Sequence, residues 1–150
     1  GDDALGPLLM DWLAEQARPG VHLVSDFQLQ IEHALDLEGH QLALFIDAGT
    51  GTPAPFEFRE TGPAATRPVS SHALAPEAVL QVYASVQRRP PPPAFVLCIR
   101  GNDFRLGEGL SPAAERNLAA ARARLVECLD DADAARWRQL IPAPAQKLNS

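Results

Sequence analysis

The sequence has little positive charge for its content of acids, and it contains no long apolar run. Its 150 residues carry 13 Lys and Arg against 19 Asp and Glu, a formal net charge of −6. Nucleic acids and anionic membranes bind basic patches, so this balance argues against either as a main partner. The longest apolar runs have the length of single strands, too short to cross a bilayer as a helix. We therefore expect no nucleic-acid or membrane partner.

Cysteine is also scarce. The two cysteines, Cys98 and Cys128, form no disulfide framework and do not have the spacing of metal ligands. Cys98 lies within an apolar run and Cys128 near the end of a predicted helix, positions typical of buried, reduced thiols. No signal peptide remains, although a chain beginning at Gly1 could have lost one. The expected location is the cytoplasm.

A Gly-x-Ser-x-Gly turn is absent as well, and Ser70-Ser71 have no evident base partner. A serine hydrolase of the α/β type is therefore disfavoured.

Two nearly continuous apolar runs are present, Gln41 to Asp47 and Ala94 to Ile99, and both are typical of strands buried in a parallel sheet. Further strands are predicted over 21–27 and 56–59, and helices over 7–17, 29–37, 76–86 and 111–129, with another turn or two over 130–140. Strands that alternate with helices predict an α/β fold: a single domain over 1–150, with a mostly parallel twisted sheet between helical layers. Residues 141–150 read as a tail.

Metal-competent side chains occur in three predicted loops. They are the acidic pair Asp2-Asp3 before a helix, Asp47 at the end of a buried strand, and His72 before another helix. Ligands of α/β sheets bind beyond the carboxyl ends of the strands. Two carboxylates and an imidazole form an incomplete shell for a divalent transition metal, with positions left for substrate or water.

Each of these residues also has an ordinary interpretation. An acid of the pair can simply favour the positive end of a helix dipole. Asp47 can be a turn residue that bonds its own backbone, and His72 can be a solvated loop histidine. By residue type, His22, His33 and His40 are equally available as ligands. The residues alone thus indicate a metal or carboxylate site without defining it.

Four segments, taken in order from Gly1 to about Leu129, resemble the hydrogenase maturation endopeptidases. GDDALGP is similar to that family's acidic pair followed by a small residue and Gly, and FIDAGTG to its apolar strand ending in Asp-Ala. SSHALAPEAVL is similar to a Ser-His segment that opens a helix. FVLCIRGNDFRLGEGLSP is similar to the last strand and the following Gly-x-x-Leu-Ser helix start. SDFQLQIEHALDLEG resembles the branch that serves soluble, NAD-linked hydrogenases.

The resemblance implies a function. The family removes the C-terminal extension of the nickel-iron hydrogenase large-subunit precursor after nickel has been inserted. It implies that Asp3, Asp47 and His72 bind nickel carried by this precursor, and that Asp3 and Asp47 are the candidate catalytic carboxylates. Asp2 is then a neighbour and not a ligand. The alternative is a nickel-sensing chaperone that docks on the large subunit without cutting it.

The resemblance is incomplete at the start. The family has an apolar strand and a Gly-x-Gly-Asn loop before the acidic pair, and this chain begins within that motif. We expect such a segment before Gly1, and we expect residues 1–150 to fold poorly without it.

Two further segments each have two possible roles, one functional and one structural. Gln30–His33 (QIEH) can line the groove that receives the substrate, or can form a helix face on which Ile31 is core and the rest is solvated. Arg100 and Asp103 flank a turn after a strand, where a structural role is at least as plausible as a functional one.

Overall fold

A three-stranded sheet forms the centre of the fold in the computed structural model, which describes residues 1–26, 28–64, 74–105, 107 and 109–142. The strands are β1 (Ala43–Gly49), β2 (Phe56–Thr61) and β3 (Ala94–Arg100), in the order β1-β3-β2. β3 pairs in parallel with β1 and antiparallel with β2. The described part of the sheet is therefore mixed.

In the described ranges, four α-helices and two 3-10 segments surround the sheet. The helices are α1 (Leu5–Gln16), α2 (Pro76–Gln87), α3 (Pro112–Asp130) and α4 (Ala134–Leu140). Two 3-10 segments, the acidic turn (Asp2–Ala4) and the 3-10 helix (Ile31–Leu37), complete the described elements. Among these helices, none has both the length and the apolar composition needed to cross a membrane.

Side chains that alternate along the strands divide the core into two clusters. Leu44 and Ile46 of β1 pack on one face against α1, α3 and α4, whereas Phe45 packs on the other against α2 and the 3-10 helix. The buried residues of the first cluster, here called the α1–α3 core, are Leu5, Leu9, Leu13, Phe58, Phe95, Leu97, Ile99, Ala114, Leu118, Ala121, Leu125, Cys128 and Trp137. Those of the second, the α2 core, are Ala34, Leu37, Val79, Leu80, Tyr83 and Ala94.

The start of α3 follows directly from its sequence. The Ser111 hydroxyl accepts a hydrogen bond from the Ala114 N–H at 3.1 Å, and Pro112 occupies the first helical turn, where its missing N–H costs nothing. Ser111 itself lies near the loop after β3, because it donates two hydrogen bonds to Asp2, which also accepts one from the Asn102 N–H of that loop.

The predicted α/β fold, a single domain with one sheet between helices, is confirmed. One predicted strand is wrong. Residues 21–26 of the predicted strand 21–27 form no strand, and Val21 and Val24 are exposed; Phe27 lies outside the described residues. A segment rich in strand-favouring residues forms a strand only where a neighbouring strand pairs with it, and within the described chain no strand pairs with these residues.

Candidate functional site

The carboxyl ends of β1 and β3 meet at one edge of the sheet, because these strands are parallel. Just beyond them, the Gly101 N–H donates to the Gly49 carbonyl at 3.1 Å. The acidic turn joins the same edge, where the Asp2 N–H donates to the Asp103 carbonyl at 2.6 Å. The segment that carries Asp3 and the strand that carries Asp47 thus both reach this edge.

Asp2 is completely buried, and its carboxylate joins three segments of the chain. One oxygen, Oδ2, accepts hydrogen bonds from the N–H groups of Asn102 and Asp103 at 2.7 and 2.8 Å. It also accepts one from the Ser111 hydroxyl at 2.8 Å, while Oδ1 accepts one from the Ser111 N–H at 2.9 Å. These four bonds connect the acidic turn to the loop after β3 and to the start of α3; we call this arrangement the Asp2 clamp.

The charged form of Asp2 is the stable one in this environment. Burial raises the pKa of the carboxyl, but the N–H donors of Ser111, Asn102 and Asp103 outweigh it and lower the pKa to about 2. Gly101 allows Asp2 and the Phe104 ring to pack closely against the loop after β3, because a Cβ at position 101 would lie 3.1 Å from the Asp2 Cβ and 2.6 Å from the Phe104 ring. The first acid of the pair therefore has a structural role.

Asp3 has the opposite environment. Its side chain is 57% exposed, and its Oδ1 lies 3.3 Å from the Gly1 nitrogen. Its carboxylate projects away from the interior that holds its neighbour. An exposed carboxylate of this kind is available to a metal ion or to a substrate group.

Asp47 lies inside β1, because the strand continues two residues beyond the predicted end, to Gly49. Its side chain is exposed, and Oδ1 accepts a hydrogen bond from the Ala48 N–H at 2.8 Å. Since Ile46 and Ala48 face the α1–α3 core, Asp47 lies on the opposite face of the sheet, the face covered further along by α2.

Cys98 lies beside Asp47 in the strand register, and Glu57 lies one strand further away. Asp47 is paired with Cys98 of β3, and Cys98 in turn with Glu57 of β2. Burial raises the pKa of the Cys98 thiol, as do the charges of Asp47 and Glu57. The Thr52 hydroxyl, 3.0 Å from the sulfur, lowers the pKa of this thiol, but the net shift is still upward. Cys98 is thus a neutral neighbour of Asp47.

The loop after β1 is held by Arg100, the last residue of β3. The guanidinium donates to the Thr52 carbonyl at 2.8 Å and to the Asn102 side-chain oxygen at 3.1 Å. Asp103, by contrast, forms an ion pair with Arg105, whose hydrogen bonds lower the pKa of the Asp103 carboxyl. Both Arg100 and Asp103 therefore make structural contacts at the edge that carries the predicted ligands.

The third predicted ligand, His72, lies outside the described residues. Within the part of the chain that is described, no three His, Cys, Asp or Glu residues are grouped closely enough to hold a metal ion. The structure thus brings the segments of Asp3 and Asp47 to one edge, and leaves the predicted three-ligand set a prediction.

The QIEH segment begins the 3-10 helix. The His33 ring nitrogen Nδ1 accepts the Gln30 N–H at 2.8 Å, and Nε2 lies 3.4 Å from Asp26. Ile31 is 61% exposed, so the interpretation that made it a core residue is wrong. The alternative, that this segment faces a substrate, stays a prediction.

One described cleft lies away from the predicted ligands. It encloses about 470 Å³, and its walls are Thr61, Gly62, Pro63, Ala84, Arg89, Pro90, Pro91, Pro92, Pro93 and Arg138. A second, of about 300 Å³, lies between the end of α1 and the segment 21–23. Neither of these two clefts contains Asp3 or Asp47.

Sequence reasoning missed the connections that hold this edge together. It separated Asp2 from the ligands but did not show that Asp2 is buried, because the donors that surround it are about 100 residues away in the chain. From the sequence, Ser111 is predicted only as a helix cap. A small signal was present: Gly101 directly after an apolar strand indicates a close backbone approach.

Comparisons with known proteins give similarity in structure only. No protein-family model matches the sequence, and no curated protein matches it significantly. The fold is similar to that of the NiFe hydrogenase maturation protease HycI from Thermococcus kodakarensis KOD1, with a TM-score of 0.65, 20% identity, and coverage of 87% of this chain and 85% of that one. It is also similar to the hydrogenase maturating endopeptidase HybD from E. coli, with a TM-score of 0.64, 18% identity and the same coverage. The chain shares the fold of these two proteases over most of its length.

Proposed function

We propose that this protein is an endopeptidase that removes the C-terminal extension of a nickel-iron hydrogenase large-subunit precursor. The observation that carries the proposal is the fold, which two hydrogenase maturation proteases share over 87% of the chain. Two of the three segments that resemble the family's metal-binding motifs, those of Asp3 and Asp47, lie at one edge of the sheet. The side chains of both are exposed there.

In the proposed reaction, nickel enters as part of the substrate. Carboxylates of Asp3 and Asp47 together with the His72 imidazole are mixed oxygen and nitrogen donors, which suit nickel(II). A precursor without nickel lacks this attachment point, so trimming follows metal insertion. Binding at the metal also contributes to positioning the scissile bond. Water attack is then assisted by the metal or by a carboxylate that acts as base.

The substrate and the location are part of the same proposal. The partner is a large-subunit precursor, of the soluble NAD-linked type that SDFQLQIEHALDLEG resembles, and the expected compartment is the cytoplasm. Purified precursors of NAD-linked and of membrane-bound hydrogenases, compared as substrates at equal concentration, test the branch.

The decisive experiment incubates the protein with nickel-loaded and with nickel-free precursor and follows the precursor mass. We expect loss of the C-terminal extension only when nickel is present. Asp3→Asn and Asp47→Asn should abolish it, whereas Asp11→Asn, a change of an exposed carboxylate on α1, should not. A stable complex without mass loss would favour the chaperone, and absence of both binding and cleavage would refute the proposal.

A further inference from the structure

We propose that Asp2 is a positioning residue: the Asp2 clamp fixes the direction in which Asp3 presents its carboxylate, and links the Asp3 segment to the loop that follows Asp47. This inference rests on the proposed function. Asp2 is not one of the proposed ligands, because its carboxylate contacts only protein groups and is inaccessible to a metal or a substrate.

The first step of the argument is the geometry of the acidic turn. In a 3-10 segment, successive side chains point about 120° apart, because there are three residues per turn. Asp2 and Asp3 are consecutive residues of this turn. Fixing Asp2 inward therefore fixes the rotation of the turn, and with it the outward direction of Asp3.

The second step is the character of the contacts. All four groups that touch the Asp2 carboxylate are donors: three backbone N–H groups and one hydroxyl. A carboxylate accepts from all of them, whereas an Asn side chain must place an NH₂ donor against at least one N–H. The site thus selects Asp over its closest isostere, and Asp2→Asn loosens the clamp without changing the size of the side chain.

The third step connects the two loops. Asn102 donates its N–H to Asp2 and accepts the Arg100 Nε–H on its side-chain oxygen. Arg100 also donates to the Thr52 carbonyl, five residues beyond Asp47. A continuous chain of hydrogen bonds thus runs from Asp2 to the loop after β1. Loss of the clamp then disturbs the relative placement of both candidate carboxylates.

The kinetic test measures trimming of nickel-loaded precursor. We expect Asp2→Asn to lower kcat by about 10- to 100-fold, the range expected for a misplacement of reacting groups by about 1 Å. KM should rise at the same time, because in the proposed function the Asp3 carboxylate also holds the nickel of the precursor. A merely structural role would instead lower the amount of folded protein and leave the kcat of the folded fraction normal.

A milder pair of variants gives a matched control. Ser111→Ala removes the cap of α3 together with one of the four hydrogen bonds to the Asp2 carboxylate. Asp133→Ala removes the cap of α4, in which the Asp133 side chain accepts the Arg136 N–H, and leaves the Asp2 clamp intact. We expect reduced kcat for Ser111→Ala and unchanged kcat for Asp133→Ala. Equal losses in the two would show that stability is responsible, and would overturn the proposal. This pair remains informative if Asp2→Asn does not fold.

Two measurements that do not involve the precursor separate this inference from the proposed function. In the full-length protein, amide hydrogen exchange at Asn102 and Asp103 should be at least tenfold faster in Asp2→Asn, with β3 still protected. Ni²⁺ affinity, measured by calorimetry, should fall at least tenfold. If wild type does not trim precursor but both effects appear, the proposed function fails and the clamp stands. Normal trimming by Asp2→Asn, or unchanged exchange, overturns the clamp.

Discussion

At the scale of single residues, adjacent acids in the acidic turn have opposite environments. Asp2 is fully buried with four hydrogen bonds, and Asp3 is more than half exposed. We expect Asp2→Asn to lower the free energy of unfolding by about 2 kcal/mol, because a buried donor loses its acceptor. Asp3→Asn should change it little, as expected for exposed sites. Urea denaturation at pH 7 measures both. Equal effects would contradict the assignment of the two roles.

His72 provides the second prediction at this scale. In the proposed function it is the one nitrogen donor of the ligand set, so His72→Ala should lower trimming of nickel-loaded precursor at least 100-fold. His40→Ala is the control, because His40 is an exposed histidine that stacks on His22 and is not part of the proposed ligand set. Circular dichroism of both variants checks that the fold is retained. Near-normal trimming by His72→Ala would remove it from the site.

Whether the sequence alone predicts the environment of these residues depends on how far along the chain their hydrogen-bond partners lie. The exposed candidates Asp3 and Asp47 could be selected from residue type, local pattern and family resemblance. The burial of Asp2 could not, because its donors belong to Asn102, Asp103 and Ser111, which only the fold brings near. An acidic pair in a sequence therefore predicts a functional turn without indicating the environment of each member.

At the scale of elements, a polar contact fixes the start of α2 against β2. Glu77 accepts hydrogen bonds from Arg59 at 2.9 Å and from Thr61 at 2.8 Å. Burial raises the pKa of the Glu77 carboxyl, but its own backbone N–H together with Thr61 and Arg59 lowers it below the ordinary value of 4.5. In the folded protein Glu77 thus stays charged to a lower pH than in the unfolded chain.

This shift predicts a pH-dependent stability. Because the folded pKa is the lower one, the contribution of Glu77 is fully present above pH 4.5 and is lost as the pH falls through the folded value. Glu77→Gln should therefore destabilise the protein at pH 6, and the difference from wild type should shrink as the pH falls below 4.5. Urea midpoints from pH 6 to pH 3 measure this, with Glu15→Gln on the exposed side of α1 as the control. A difference that is constant with pH would contradict the role of the ion pair.

The sequence predicted some elements better than others, for a physical reason. The predicted strand Ala94 to Ile99 and the helix start at Ser111-Pro112 match β3 and α3 closely, because a doubly covered strand and a Ser-Pro cap are local signals. The predicted strand at 21–26 is wrong, because its apolar residues suit a strand but its pairing depends on the rest of the sheet. The antiparallel direction of β2 likewise depends on where the loop after β1 leads the chain.

At the scale of the whole molecule, the sheet separates two cores of unequal size. The α1–α3 core contains both tryptophans, with Trp137 buried edge-to-face on Phe95 and Trp12 packed at its margin. The α2 core contains neither. Tryptophan fluorescence therefore reports on one face only, whereas far-UV circular dichroism reports on helices of both faces.

This asymmetry allows a test of whether the two cores unfold as one unit. Leu9 in the α1–α3 core and Leu80 in the α2 core are both fully buried, so each change to Ala should lower the free energy of unfolding by about 3 kcal/mol. Leu9 and Leu80 lie on opposite faces of the sheet, so their effects should add. A single domain unfolds in one transition. In the full-length protein, Leu80→Ala should therefore shift the urea midpoint of tryptophan fluorescence as far as that of circular dichroism, although no tryptophan lies on its face. If the fluorescence midpoint stays at the wild-type value while the circular dichroism midpoint shifts, the two halves unfold independently. That result would contradict the single-domain fold, on which the placement of Asp3 and Asp47 at one edge depends.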